Sequence, residues 1–140
     1  MIDVYTPAGL LPAGFHRPLA AQLTEALLRA EGQAVVEPFA SNTAAYVHEL
    51  PAEAVHTAAT DRAQVVRIEV LTPPGVLNRD GQRQLVADAT RIVADIAGDD
   101  TLAGRTWVLL KEAAEGGWGI GGVALGREEF AALAQAATAS

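Results

Sequence analysis

The spacing of apolar residues in the first half of the chain predicts a strand, a helix and a second strand. Ile2 and Val4 fall on one side of an extended run, which predicts a strand over residues 2–5. A second apolar run, Ala44–Leu50, predicts another strand that ends before Pro51. Between them, apolar residues recur at helical spacing with polar residues opposite, at Leu19, Leu23, Ala26, Leu27 and Ala30.

The second half of the chain repeats this order. Residues 66–71 form an extended apolar run, and Asn78 is a suitable N-cap for a helix that Gly98 ends. The uninterrupted apolar run Trp107–Leu110 is typical of a strand covered on both faces. A glycine-rich segment around Trp118 follows, and residues 127–137 predict a short closing helix.

One short sequence occurs twice, which indicates that the chain is a duplicated unit. Val70-Leu-Thr-Pro-Pro-Gly-Val-Leu77 matches Val4-Tyr-Thr-Pro-Ala-Gly-Leu-Leu11, which stands 66 residues earlier. In both copies an apolar run stops at a Thr-Pro-x-Gly turn, because proline fixes its φ angle and glycine permits a positive one. In this register Arg67 of the second copy corresponds to Met1 of the first.

These elements predict a single domain over residues 1–140. It divides into a first β-α-β unit (1–63), a second unit with the glycine hairpin (64–126), and a C-terminal helix and tail (127–140). The predicted fold is α/β (α+β, ferredoxin-like), a four-stranded sheet with two helices on one face. The other face of the sheet also carries apolar residues, and no remaining element can cover it. We therefore expect an oligomer.

The composition of the chain argues against several classes of function. The chain has 140 residues, a net charge of -7 and no cysteine, so disulfides and thiolate chemistry are excluded. An acidic protein lacks the basic face that nucleic-acid binding needs. No apolar run is long enough to span a bilayer, and residues 1–5 lack the basic and apolar regions of a signal peptide. We expect a cytoplasmic protein without nucleic-acid or membrane partners.

The segment Glu112-Ala-Ala-Glu-Gly-Gly-Trp-Gly-Ile-Gly-Gly122 resembles the C-terminal signature of the 4-oxalocrotonate tautomerase group. There a strand ends in Glu, and a Gly-aromatic-Gly-Ile-Gly-Gly hairpin follows. The resemblance covers residues 66–122 well and the first half weakly. A fused pair of such units is similar to longer members of the tautomerase superfamily: macrophage migration inhibitory factor, malonate semialdehyde decarboxylase and cis-3-chloroacrylic acid dehalogenase. The resemblance implies a homotrimer whose sheets enclose a central barrel.

The resemblance also implies chemistry at an amino-terminal proline that acts as general base or acid. Met1 occupies that position here, and the large Ile2 predicts that Met1 is retained, so we expect the proline to be absent. The positions of the family's arginines carry Leu11 or Leu77 and Trp107, and Leu109 replaces the tyrosine of the dehalogenase group. Of this set, only the hairpin aromatic remains, as Trp118.

Four residues are therefore candidates for a site. Met1 has an α-amine that can take a proton or form a Schiff base, or it is an ordinary charged terminus. Arg67 is a candidate for binding a substrate carboxylate, or it is a surface arginine paired with Glu69 or Asp3. Trp118 either lines a pocket or packs into a subunit interface. Trp107 either packs in the core or barrel wall or contacts a ligand. We expect no cofactor and no metal, because no pair of histidines has ligand spacing.

Two functional hypotheses follow from these residues. The first is a trimeric tautomerase, or a relative, that acts on small 2-oxo or enol acids through the Met1 amine. The second is a catalytically silent member of the family that binds a ligand or serves as a structural subunit. The missing proline and arginines favour the second hypothesis, whereas the glycine hairpin fits both. A dimeric ferredoxin-like monooxygenase or binding module is a third interpretation, separable by subunit count.

Overall fold

The computed structural model describes residues 1–139, so Ser140 of the predicted tail lies outside the described residues. Its centre is a four-stranded mixed sheet of β1 (Ile2–Pro7), β2 (Ala45–Leu50), β3 (Val66–Thr72) and β4 (Thr106–Glu112). The order of the strands across the sheet is β2-β1-β3-β4. β1 is parallel to β2 and antiparallel to β3, and β3 is parallel to β4. The two β-α-β units therefore meet side by side through β1 and β3.

The repeated turn ends a strand in both halves, as predicted. β1 and β3 extend one or two residues beyond the predicted runs and stop at Pro7 and Thr72. Gly9 and Gly75 adopt positive φ angles of 86° and 78°, in the region that glycine tolerates best. The duplication therefore specifies the local backbone where each strand leaves the sheet.

Two helices cover one face of the sheet. α1 (His16–Ala30) begins two residues before Pro18, which falls in its first turn. α2 (Arg79–Ala97) is preceded by the N-cap Asn78, whose side chain accepts a hydrogen bond from the Gly81 N–H at 2.8 Å. The core lies between these helices and the sheet. Its fully buried side chains include Ile2, Val4, Leu19, Leu23, Leu27, Val66, Ile68, Val70, Leu85 and Val93.

The opposite face of the sheet is open in the single chain, as the sequence predicted. Its large apolar residues expose 40 to 55% of their surface, and they are Tyr46, Leu71, Trp107 and Leu109. β4 is therefore covered on one face only, because its alternate residues point away from the helices. Charged residues lie between some of them, since Asp3 and Glu69 separate Tyr46 from Leu109 in one row of the sheet. Exposed large apolar residues in this number are typical of a surface that another chain covers.

The glycine hairpin and the last helix follow the C-terminal end of β4. β5 (Trp118–Ile120) and β6 (Val123–Leu125) form the glycine hairpin, and α3 (Arg127–Ala139) follows it. Short 3₁₀ turns occupy Ala40–Asn42, Ala52–Ala54 and Asp100–Arg105. Within residues 1–139, no helix combines the length and apolar character that crossing a membrane requires.

Candidate active site

A cavity of about 390 Å³ opens where the chain begins, a size typical of small-molecule sites. The start of β1, the end of α1, the turn after β3, the glycine hairpin and α3 surround it. Much of its wall is apolar, formed by Leu27, Phe39, Val76, Trp118, Ile120 and Phe130. Three charged groups lie among its lining residues: the Met1 amine, Glu31 and Arg127.

Met1 is held in place by backbone hydrogen bonds to β3. Its ammonium donates to the Leu71 carbonyl at 3.0 Å, and the Leu71 N–H donates to the Met1 carbonyl at 2.9 Å. Burial lowers the pKa of the amine below the ordinary value of 8.0, although the carboxylates of Glu31 and Asp3 act in the opposite direction. The structure therefore presents a positioned amine that loses its proton more readily than an exposed one.

Glu31 is the acidic group of this cavity. It follows the last turn of α1, where its backbone N–H donates to the Leu27 carbonyl at 3.0 Å. Burial raises the pKa of its carboxyl to about 7, and the positive Met1 terminus lowers it by a smaller amount. Near neutral pH the cavity thus contains one acid and one amine that can each carry a proton.

Arg127, the first residue of α3, is the basic side chain of the cavity. Its Nη2 lies 3.5 Å from Glu112 Oε1, and its Nε lies 3.5 Å from Glu115 Oε2. Its backbone N–H also donates to Glu115 Oε1 at 2.8 Å. These contacts join the start of α3 to the end of β4.

Trp118 lines the Met1 cavity of its own chain. Its ring meets Phe130 of α3 edge to face, with 6.2 Å between the ring centroids and 83° between the planes. Phe130 is 8% exposed, so it anchors the helix against the hairpin. One chain by itself therefore brings together two of the predicted groups, Met1 and Trp118.

Arg67 and Trp107 lie elsewhere in the same chain. The repeat aligns Arg67 with Met1, but β1 and β3 are antiparallel, so their first residues lie at opposite ends of the strand pair. Arg67 is 4.4 Å above the ring of Tyr5 and 3.6 Å from a carboxylate oxygen of Glu69. It stands beside Trp107 on β4, and both line a smaller cavity of about 200 Å³.

Positions that the resemblance associates with arginine carry no charge here. Leu11 is 6% exposed in the core, and Leu77 packs against that core. Sequence reasoning missed the three residues that give the cavity much of its character, Glu31, Phe39 and Arg127. In the sequence Glu31 is only a helix end, Phe39 lies in a connector and Arg127 opens a short helix. No local pattern distinguished them.

No family model matches the chain, and no curated protein of similar sequence was found. N1, a member of the cis-3-chloroacrylic acid dehalogenase (cis-CaaD) family, is 23% identical, with 99% of this chain and 95% of that chain covered and a TM-score of 0.72.

Two further solved structures are similar to this chain. A fused 4-OT described as a symmetric trimer is 21% identical, with 94% of this chain and 97% of that chain covered and a TM-score of 0.73. Pt0534, inactivated by 2-oxo-3-pentynoate, is 18% identical, with 91% of this chain and 96% of that chain covered and a TM-score of 0.74. The chain has the fold of these proteins, so the fold predicted from the tautomerase resemblance is confirmed.

Proposed function

We propose that this protein is a tautomerase-superfamily enzyme that catalyses keto–enol proton transfer on small 2-oxo or enol acids. The observation that carries the proposal is the Met1 amine, which is fixed on the wall of a largely apolar cavity with its pKa lowered by burial. The α-amine takes the role for which the resemblance implies a proline. In this proposal Met1 is the catalytic residue and Trp118 binds the substrate.

Ketonisation of an enol needs a group that accepts the hydroxyl proton and a group that delivers a proton to the neighbouring carbon. The neutral Met1 amine serves as the acceptor, and the protonated Glu31 carboxyl serves as the donor. Burial favours both of these forms, because it lowers the pKa of the amine and raises that of the acid to about 7. Structural similarity to Pt0534, which is inactivated by a 2-oxo acid, supports the substrate class.

The pH dependence of phenylenolpyruvate ketonisation tests this pair. We expect kcat/KM to rise as the amine loses its proton and to fall above about pH 7, where Glu31 ionises. Glu31→Gln should lower kcat/KM about 10²-fold, as expected for the loss of a general acid. The fall above neutral pH should disappear. The rising limb should move to lower pH, because the carboxylate that raises the pKa of the amine is gone.

Glu25→Gln is the matched control, because Glu25 lies on the exposed face of the same helix. Its pH profile should equal that of the wild type. Borohydride trapping with pyruvate, followed by peptide mass analysis, reports whether Met1 is retained and whether its amine reacts. An unlabelled terminus together with no ketonisation above background would favour the alternative, a catalytically silent ligand-binding or structural member. The missing proline and arginines support that alternative.

We also propose a homotrimer and keep Arg67 and Trp107 as substrate-binding candidates from a neighbouring subunit. The exposed apolar face of the sheet and the fold shared with a trimeric fused 4-OT support this assembly. Light scattering should give a mass three times the 14.5 kDa of one chain. A monomer at micromolar concentration would contradict the proposal and leave the exposed face unexplained. Within the cell we propose a cytoplasmic location.

A further inference from the structure

The Met1 cavity has one cationic side chain on its wall within residues 1–139, and α3 supplies it. Arg127 lies at the first residue of that helix, and Phe130 lines the same cavity one turn later. Leu11 and Leu77 occupy positions where the resemblance implies an arginine, and neither side chain carries a charge. A carboxylate entering this cavity therefore meets positive charge from the C-terminal helix.

The side chain of Arg127 is seated on the repeated turn. A Cβ atom at Gly75 would lie 3.1 Å from Arg127 Cγ and 3.2 Å from Nη1, so the absence of a side chain there lets the arginine lie close to the backbone. The Gly75 N–H donates to Glu112 Oε1 at 2.5 Å, and the same oxygen lies 3.5 Å from Arg127 Nη2. The turn at Gly75, the end of β4 at Glu112 and the start of α3 therefore together position the guanidinium.

The ion pairs of Arg127 are weak enough to be exchanged for a ligand. Both carboxylate contacts are 3.5 Å long, and the side chain is 66% exposed. Exposed pairs of this kind contribute little to stability. The start of α3 stays attached without them, because the Arg127 backbone N–H donates separately to Glu115. Moving the guanidinium to a bound anion would therefore not release the helix.

We infer that Arg127 binds the carboxylate of the ligand in the Met1 cavity, and that Phe39, Trp118 and Phe130 contact an apolar substituent. The site then selects small monocarboxylates with an apolar group over dicarboxylates. Apart from Arg127 and the Met1 amine, this chain offers a second carboxylate only the apolar wall and Glu31, and burial of an unpaired charge is costly. The reaction of that ligand rests on the proposed function, whereas its binding does not.

Isothermal titration with phenylpyruvate and 2-oxoglutarate tests the inference on the full chain. We expect wild type to bind phenylpyruvate and to bind 2-oxoglutarate at least about 10-fold more weakly. Arg127→Gln should weaken phenylpyruvate binding about 10-fold or more, the size typical of a lost charge-assisted hydrogen bond. The affinity of Arg127→Lys for phenylpyruvate should lie between those of wild type and Arg127→Gln, because a lysine keeps the charge but loses the bidentate geometry.

Arg83→Gln is the matched control. Arg83 is 64% exposed and forms a similar ion pair with Asp80 at 3.3 Å, but it lies on α2 away from this cavity. Its variant should bind phenylpyruvate as wild type does. Urea unfolding of both variants checks that the fold is intact; if Arg127→Gln unfolds, Arg127→Lys alone decides the comparison.

The inference would be overturned if Arg127→Gln bound phenylpyruvate as tightly as wild type does. Where Arg127→Gln is unfolded, the same result with Arg127→Lys would overturn it. The inference would also be overturned if wild type bound 2-oxoglutarate more tightly than phenylpyruvate, or did not bind phenylpyruvate at millimolar concentration. Failure of the proposed function looks different. If wild type binds phenylpyruvate through Arg127 but does not ketonise its enol, the recognition site stands and the tautomerase proposal falls.

Discussion

A proline inserted between Met1 and Ile2 is expected to raise phenylenolpyruvate ketonisation at least ~10-fold, equivalent to about 1.4 kcal/mol in the barrier. The initiator methionine should be trimmed before a proline. The new first residue then takes the place of Met1 and can keep its two backbone hydrogen bonds to Leu71. Its secondary amine would lie on the wall of the cavity. The absolute rate should stay modest, because Leu11 and Trp107 supply no charge for a developing enolate.

An inserted alanine is the control for this experiment. It should also be exposed by trimming, and it removes the Met1 side chain in the same way while leaving a primary amine. Rates of the proline and alanine variants therefore differ only through the kind of amine. Rates of both variants equal to the uncatalysed background, with mass analysis confirming both termini and light scattering showing unchanged assembly, would mean that the cavity does not position the substrate. The silent-subunit hypothesis would then replace the enzyme hypothesis.

Gly81→Ala is expected to lower the free energy of unfolding by about 1–3 kcal/mol, the usual cost of overpacking a tight contact. Alanine ordinarily stabilises a helix relative to glycine, so the sign of this effect comes from packing. A Cβ at residue 81 would lie 2.6 Å from the Ala30 carbonyl oxygen and 2.7 Å from Leu77 Cδ1. The carbonyl belongs to the end of α1 and cannot move without shifting one helix against the other.

Urea unfolding followed by circular dichroism measures this change. Gly104→Ala is the control, because a Cβ at that position meets no atom within 4 Å and the residue has no positive φ angle. Its free energy of unfolding should stay within about 0.5 kcal/mol of wild type. A Gly81→Ala variant as stable as wild type would show that α2 can move away from α1 at little cost. The helix contact beside Glu31 would then be looser than the structure indicates.

Local patterns were sufficient for the elements of this fold because each depends on neighbours in sequence. Asn78 caps α2 as predicted, since its side chain needs only an N–H three residues away. The repeated Thr-Pro-x-Gly turn ends β1 and β3, because proline fixes its own φ angle and glycine accepts the positive φ angle that the turn needs. Apolar residues on the second sheet face, with no element left to cover them, also indicated that this face has no cover within the chain, and Trp107 and Leu109 are indeed about half exposed.

The composition of the cavity could not be predicted in the same way, because its groups come from distant parts of the chain. Sequence alone determined the duplicated β-α-β order, the sheet with two helices, and the lack of charge at Leu11 and Leu77. Tertiary structure decided that Glu31 and Arg127 line the cavity that contains Met1 and Trp118. It also separated Arg67 from Met1, since antiparallel pairing of the two copies puts equivalent residues at opposite ends of the strands.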